Sequence, residues 1–199
     1  YAPTAIVASP HPVEDVDFNS DGSYSGYNWE LFFHVPMLIA TFLTRNQRFQ
    51  EAVDWLHYIF NPTGALPGNV PQKYWVTKPF FLRNDNDYIA QRIDTLLYRA
   101  ADLNDPALKE LEFAIQQWRD NPFKPHVVAR FRTVAYQKAI LMKYIDNLIS
   151  WGDYLFRQDT MESIAQATQM YIQADKLLGP KPRIVPPVVT PPNETYYQI

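Results

Sequence analysis

The sequence predicts a mainly α-helical chain of antiparallel helical hairpins, with a short irregular or β segment in front and an extended proline-rich tail behind. Three observations carry this expectation. Apolar residues recur at i, i+3, i+4 and i+7 in several separate stretches; those stretches stop at Asn-Pro or Gly-Pro punctuation; and six of the 17 prolines crowd into the last 20 positions. A chain of 199 residues can bury roughly 70% of its unfolded surface, enough for a core without staples. With no cysteine there is no disulfide, thiolate zinc site, cysteine nucleophile or iron–sulfur ligation. A formal charge of −3 argues against a general nucleic-acid binder, which needs a basic surface to release counterions. The longest largely apolar run, Leu31 to Leu43, contains His34 and Pro36 and is too short to span a bilayer. Tyr1 in place of Met points to a piece of something longer.

Residues 1–28 carry Pro3, Pro10, Pro12, Gly22 and Gly26, with apolar patches at Ala5 to Ala8 and Val13 to Phe18, which favours strand or turn over helix. From Trp29 the period becomes helical. Pro36 suits a first helical position, and Met37, Ile39, Ala40 and Leu43 continue it for about two to three turns. Phe49, Ala52, Val53, Leu56, Ile59 and Phe60 make the face of a second helix that stops at Asn61-Pro62-Thr63-Gly64, so the two should form a hairpin with small Ala52 where they cross. In a tetratricopeptide register Ile39, Ala40, Leu43, Leu56 and Ile59 fall near the expected apolar offsets, but the later hairpin fits only with a loop about three residues longer, so the match is weak. Between Thr63 and Asp87, prolines and glycines break every period while Tyr74, Trp75, Phe80, Phe81 and Leu82 supply bulk, the pattern of an irregular excursion pinned by aromatics. Ile89, Ile93, Leu96, Leu97 and Ala100, then Leu108, Leu111, Ile115 and Trp118 after Asp105-Pro106, predict a second hairpin closing at Asn121-Pro122. Leu141, Ile145, Leu148, Gly152 and Leu155, flanked by Met142, Ile149 and Phe156, give a broad stripe on a helix of about six turns, wide enough to need two or more neighbours. Asp159 and Glu162 read as a capping box for a last helix with the face Ile164, Ala167, Tyr171, Ala174 and Leu178, ended by Gly179-Pro180. The tail from Pro180 has no P-x-x-P spacing and reads as extended linker.

Reactive constellations are missing from the sequence. It has no Gly-rich phosphate loop, no HExxH and no G-x-S-x-G elbow, and its four histidines lack i, i+4 pairing. Catalytic, cofactor-binding and metal-binding residues are therefore assigned to none, and no cofactor is expected. His34 and His57 read as structural boundary histidines, and Ser150 as a helix-interior hydroxyl. Glu51 with Asp54 and Glu110 with Glu112 read as solvated helix faces. The one charge asymmetry, Arg119, Lys124, Arg130, Arg132, Lys138 and Lys143 against Asp120 and Asp146, reads as ion pairing between helices before it reads as an anion site.

Two stretches are distinctive as wholes. One is Asn28-Trp29-Glu30-Leu31-Phe32-Phe33-His34-Val35-Pro36 leading to Trp55-Leu56-His57-Tyr58-Ile59-Phe60-Asn61-Pro62-Thr63. The other runs from Gln117-Trp118-Arg119 through Asn121-Pro122-Phe123-Lys124-Pro125-His126, Tyr136-Gln137-Lys138, Trp151-Gly152-Asp153 and Leu155-Phe156-Arg157-Gln158-Asp159-Thr160 to Leu177-Leu178-Gly179-Pro180. These strings closely resemble the TcA-type subunit of bacterial insecticidal toxin complexes (Tc toxins), and the resemblance covers most of residues 28–182. It implies a segment of a much larger secreted or cell-surface polypeptide, assembled as a homopentamer in which an α-helical shell encloses a translocation channel that acts on the host cell membrane. On that resemblance, residues 1–28 are the tail of a β-rich, neuraminidase-like domain, 29–179 the last part of the shell, and 180–199 the start of the linker that drives the channel. Partners would be the other protomers, the TcB–TcC component and a host membrane or receptor, the last two through regions beyond this chain. Nothing catalytic carries over.

Two residue-level expectations accompany this. Gly179, Pro180 and Pro182 mark the hinge from shell to linker, and His34, His57 and His126 are candidates for a pH-sensitive shell contact, because histidine changes charge nearest neutrality. The competing reading is a free-standing helical adaptor that binds a protein or peptide in a groove between hairpins. A hydrolase would need His126 with Arg130 or Arg132 and a carboxylate in one cleft.

Overall fold

The first helix begins before Trp29 and runs through Pro36 instead of starting there. A computed structural model describes residues 16–18, 22–64, 66–82 and 133–181, with single positions 112, 116, 119, 120 and 123. Helix α1 (Ser25–Trp29) passes into a π-helical turn (Glu30–His34) and then α2 (Val35–Arg45) without a break. A proline inside a helix withholds one N–H and crowds the carbonyl four residues back, here that of Phe32. The wide π turn directly upstream relieves that crowding, and the hydroxyl of buried Thr77 donates to the Phe32 carbonyl at 3.4 Å.

A three-residue turn with Gln47 at φ 61° leads to α3 (Phe49–Leu56). The predicted hairpin is present: α2 and α3 pack together, with Ala40 and Ala52 both fully buried. Helix α3 is shorter than its apolar period, yet Ile59 and Phe60 stay on the buried face because both backbone N–H groups return to the Leu56 carbonyl at 2.9 Å. The excursion is pinned by aromatics as expected. Phe60 and Trp75 form an isolated antiparallel bridge, a 3₁₀ turn (Gln72–Tyr74) precedes it, and the short α4 (Lys78–Phe81) places Phe80 in full burial. Trp29, Phe33, Phe60, Trp75 and Phe80 meet edge to face or tilted at centroid separations of 4.8 to 6.0 Å.

Helix α5 (Thr133–Phe156) packs on α2, α3, α4 and α6, satisfying the neighbours its width demanded. The stripe itself is rotated. Ile145, Leu148, Gly152 and Leu155 are buried, but Met142, Ile149 and Phe156 are exposed, and Gln137, Ile140, Tyr144 and Asn147 are buried in their place. Helix α6 (Met161–Leu178) starts one residue later than the predicted box. Thr160 is the cap: its Oγ1 accepts from the Ser163 N–H at 3.1 Å while its own N–H donates to Ser163 Oγ at 3.1 Å. Asp159 sits at φ 51°, whereas an N-cap needs the extended conformation that Thr160 adopts. The inner face of α6 is Ser163, Ala167, Met170, Tyr171, Ala174 and Leu177, while Ile164 and Leu178 face outward. Tyr27, Leu31, Leu38 and Phe42 remain exposed along the first helical run. Among the described residues there is no strand. The second hairpin predicted from Ile89 to Trp118 lies outside the described residues except Glu112 and Gln116, both helical.

Candidate functional site

Tyr136, Ile140 and Tyr144 lie four residues apart on α5 and so share one face, which turns toward the first hairpin. Each of the two tyrosines meets a histidine. At one end, Tyr136 packs against Phe33 at 4.7 Å, Trp29 at 5.6 Å and the edge of His34 at 6.0 Å. His34 therefore sits in the π turn inside a continuous helix, not at a helix start. Two turns further along, His57 stacks on Tyr144 with centroids 5.9 Å apart, and its Nε2 lies 3.2 Å from the Tyr144 hydroxyl. His126 lies outside the described residues, as do Lys124, Arg130 and Arg132, so the hydrolase cleft has no described geometry.

Burial pushes the His57 imidazole below its usual proton affinity, with Asp54 on the preceding turn pulling the other way; burial likewise raises the Tyr144 hydroxyl. Near neutrality the ring is uncharged, and Tyr144 can donate to Nε2 when Nδ1 carries the proton. Protonation reverses that bond, since both ring nitrogens then donate, and it places a charge in a half-buried contact. The unfolded chain accepts the proton more readily than the folded one, so this contact is worth most above the usual histidine range and weakens as pH falls through it. In urea titrations from neutrality to mild acid, the His57→Gln variant is expected to show a flatter decline of stability than the native chain, because the amide keeps a bond to Tyr144 and cannot charge. A slope unchanged by the substitution sinks the assignment.

The predicted hinge begins where α6 ends. Gly179 takes φ 74°, a left-handed conformation that favours glycine, its N–H closes on the Asp175 carbonyl at 3.1 Å, and Pro180 follows exposed. Pro182 lies outside the described residues.

The sequence reading missed the polar tie between the hairpin turn and α5. Asn147 is fully buried; its Oδ1 accepts from Thr44 Oγ1 at 2.7 Å and its Nδ2 donates to the Phe49 carbonyl at 3.2 Å. The usable signal was small: an asparagine inside the apolar stripe, between Ile145 and Leu148. On the outer surface Arg48 pairs with Glu51 and Gln50 donates to Asp54, as solvated helix faces should. Among the described residues no group of three or more His, Asp or Glu could hold a metal, and no helix is long and apolar enough to cross a membrane.

A helical segment with two hairpin layers and an aromatic seam is what the described residues define, and the chain is a relative of Tc-toxin subunits. It is 27% identical over 170 residues to Toxin subunit YenA2 of Yersinia entomophaga, which takes in 82% of this chain and 10% of that protein. Among solved structures it is similar to TcdA4 of Morganella morganii, with 29% identity, a TM-score of 0.55, and coverage of 85% of this chain and 6% of that one. It is similar also to TcaA-TcaB of Yersinia pseudotuberculosis, with 30% identity, a TM-score of 0.56, and coverage of 82% and 8%. The chain thus spans a tenth or less of the length of each of these proteins. No family model matches it.

Proposed function

We propose that the chain is a non-catalytic structural segment of a TcA-type, pore-forming, toxin-translocating subunit. Residues 29–179 form part of the outer helical shell, 1–28 the tail of a β-rich neighbour, and 180–199 the start of the linker that drives channel injection. The carrying observation is that similarity to toxin subunits runs through 82 to 85% of this chain while taking in only 6 to 10% of theirs, so the chain corresponds to one piece of a large polypeptide. Its partners are the other protomers of a homopentamer and, through other regions, the TcB–TcC component and a host membrane or receptor. The assembly is secreted or held at the bacterial surface and acts on the host cell membrane.

In this reading Gly179, Pro180 and Pro182 form a mechanical junction. A polyproline-biased tail reaches about 3.1 Å per residue, so it transmits length without folding. Deleting residues 180–192 from the full-length polypeptide is expected to abolish or slow channel ejection while leaving the assembled particle intact. Normal ejection overturns the junction.

The exposed row Tyr27, Leu31, Leu38 and Phe42 favours one other reading, an adaptor that covers this row with a bound partner. The mass of the source polypeptide and of its native particle separates the two: a five-fold particle of large chains supports the toxin segment, and a native monomer of 23.2 kDa supports the adaptor.

A further inference from the structure

Val16, Asp17 and Phe18 cross the start of the first helix in an arrangement unlike the rest of the chain. Three consecutive carbonyls each accept from a side chain instead of a neighbouring strand. Lys78 Nζ, at the first residue of α4, donates to Val16 O at 3.2 Å; Asn28 Nδ2 donates to Asp17 O at 2.7 Å; and Trp29 Nε1 donates to Phe18 O at 3.4 Å. The segment alternates as an extended strand does, with Val16 and Phe18 half-buried and Asp17 exposed. Phe18 supplies the anchor: its ring meets Trp29 edge-on at 5.3 Å and Phe32 at 6.1 Å, joining the aromatic cluster from outside.

We propose that the groove between α1, the π turn and α4 is a peptide-binding site for an extended segment with an aromatic anchor, filled in cis by Val16–Phe18. Asn28 and Trp29 are adjacent on α1, Trp29 is wedged between Phe33 and Phe80, and Lys78 opens α4 beside them. Main-chain carbonyls supply affinity without sequence information, so selectivity rests on the phenyl ring and on the side-chain alternation around it. The groove thus tethers whatever polypeptide precedes Ser25 by non-covalent contacts as well as by chain continuity.

The test uses the whole folded chain carrying a protease recognition sequence in place of residues 19–21. After cutting, the amino-terminal piece is expected to stay with the helical body on gel filtration. A synthetic peptide of residues 12–19 is expected to displace it, and the same peptide with Phe18→Ala to need a roughly tenfold or higher concentration, which is what burying a phenyl ring is worth. Two results overturn the proposal: the piece leaves on cutting while helicity is unchanged, or the two peptides displace it equally well. Because the phenylalanine is removed from the peptide and not from the chain, a folding defect cannot mimic either result.

Discussion

Replacing Asn147 by aspartate is expected to lower stability by about 3 kcal/mol at neutral pH, because it leaves an uncompensated charge in a fully buried position. The two side chains are nearly isosteric, so packing is preserved and the change is electrical. In the native chain Nδ2 donates to the Phe49 carbonyl at 3.2 Å; a carboxylate puts a second acceptor there, with no donor between. Only Thr44 still donates, at the other oxygen. A protonated carboxyl can donate to Phe49, so burial and the facing carbonyl raise the folded-state affinity of the new group for its proton. The folded variant then holds the proton more tightly than the unfolded one. Stability is nearly recovered below the usual carboxylate value of about 4 and is lost as pH rises from there through the raised folded-state value. Thermal melts across that range report the effect as a fall of about 6 to 12 °C at neutrality. A variant as stable as the native chain at neutral pH means that Asn147 is solvated and the tie between the hairpin turn and α5 is not there.

Gly152→Ala is the second large effect, and its sign is opposite to the usual one. Alanine in a helix interior is ordinarily more stable than glycine by about 0.5 to 1 kcal/mol. At position 152 the new methyl would sit 2.6 Å from Cε1 and 2.9 Å from Cζ of Tyr171, across the contact between α5 and α6. The ring is tethered at its far end, where the Tyr171 hydroxyl donates to the exposed Asp153 Oδ1 at 2.7 Å, a bond that also raises the hydroxyl's proton affinity and that the ring must give up to swing away. Either the helices separate or that bond breaks, and the net loss is expected to be about 1 to 3 kcal/mol. The diagnostic is a double-mutant cycle in urea. In a Tyr171→Ala background the methyl has room, and Gly152→Ala should become neutral or stabilising. Additive losses would show that the ring is not what the methyl meets.

These two positions mark the boundary of what the residues announce by themselves. The period from Phe49 to Phe60 named six buried residues correctly, because an amphipathic face against a single core leaves only one arrangement that buries it. The glycine at 152 was counted within the stripe, but its role as the notch for Tyr171 depends on α6, which no local pattern encodes. Asn147 was passed over because an amide in an apolar stripe is expected to point away from it; its partners, Thr44 and Phe49, are about a hundred positions distant. Pro36 was taken for a helix start because a proline there needs no special device. The π turn and the Thr77 hydroxyl that allow it mid-helix are tertiary features. For the candidate site, the histidines could be named but not their tyrosine partners, and the end of α6 was legible from Gly179-Pro180 alone, since helix termination is a local event.

The tie through Asn147 also sets an order of events at birth. Thr44 and Asn147 are 103 positions apart. At ordinary synthesis rates of roughly 5–20 residues per second, the first hairpin therefore leaves the ribosome about 5–20 s before the helix that covers it. During that interval Trp29, Phe33, Leu56 and Ile59, all buried in the finished fold, face the cytosol without their cover, which makes the nascent first hairpin the natural client of whatever holds apolar surface at the exit tunnel.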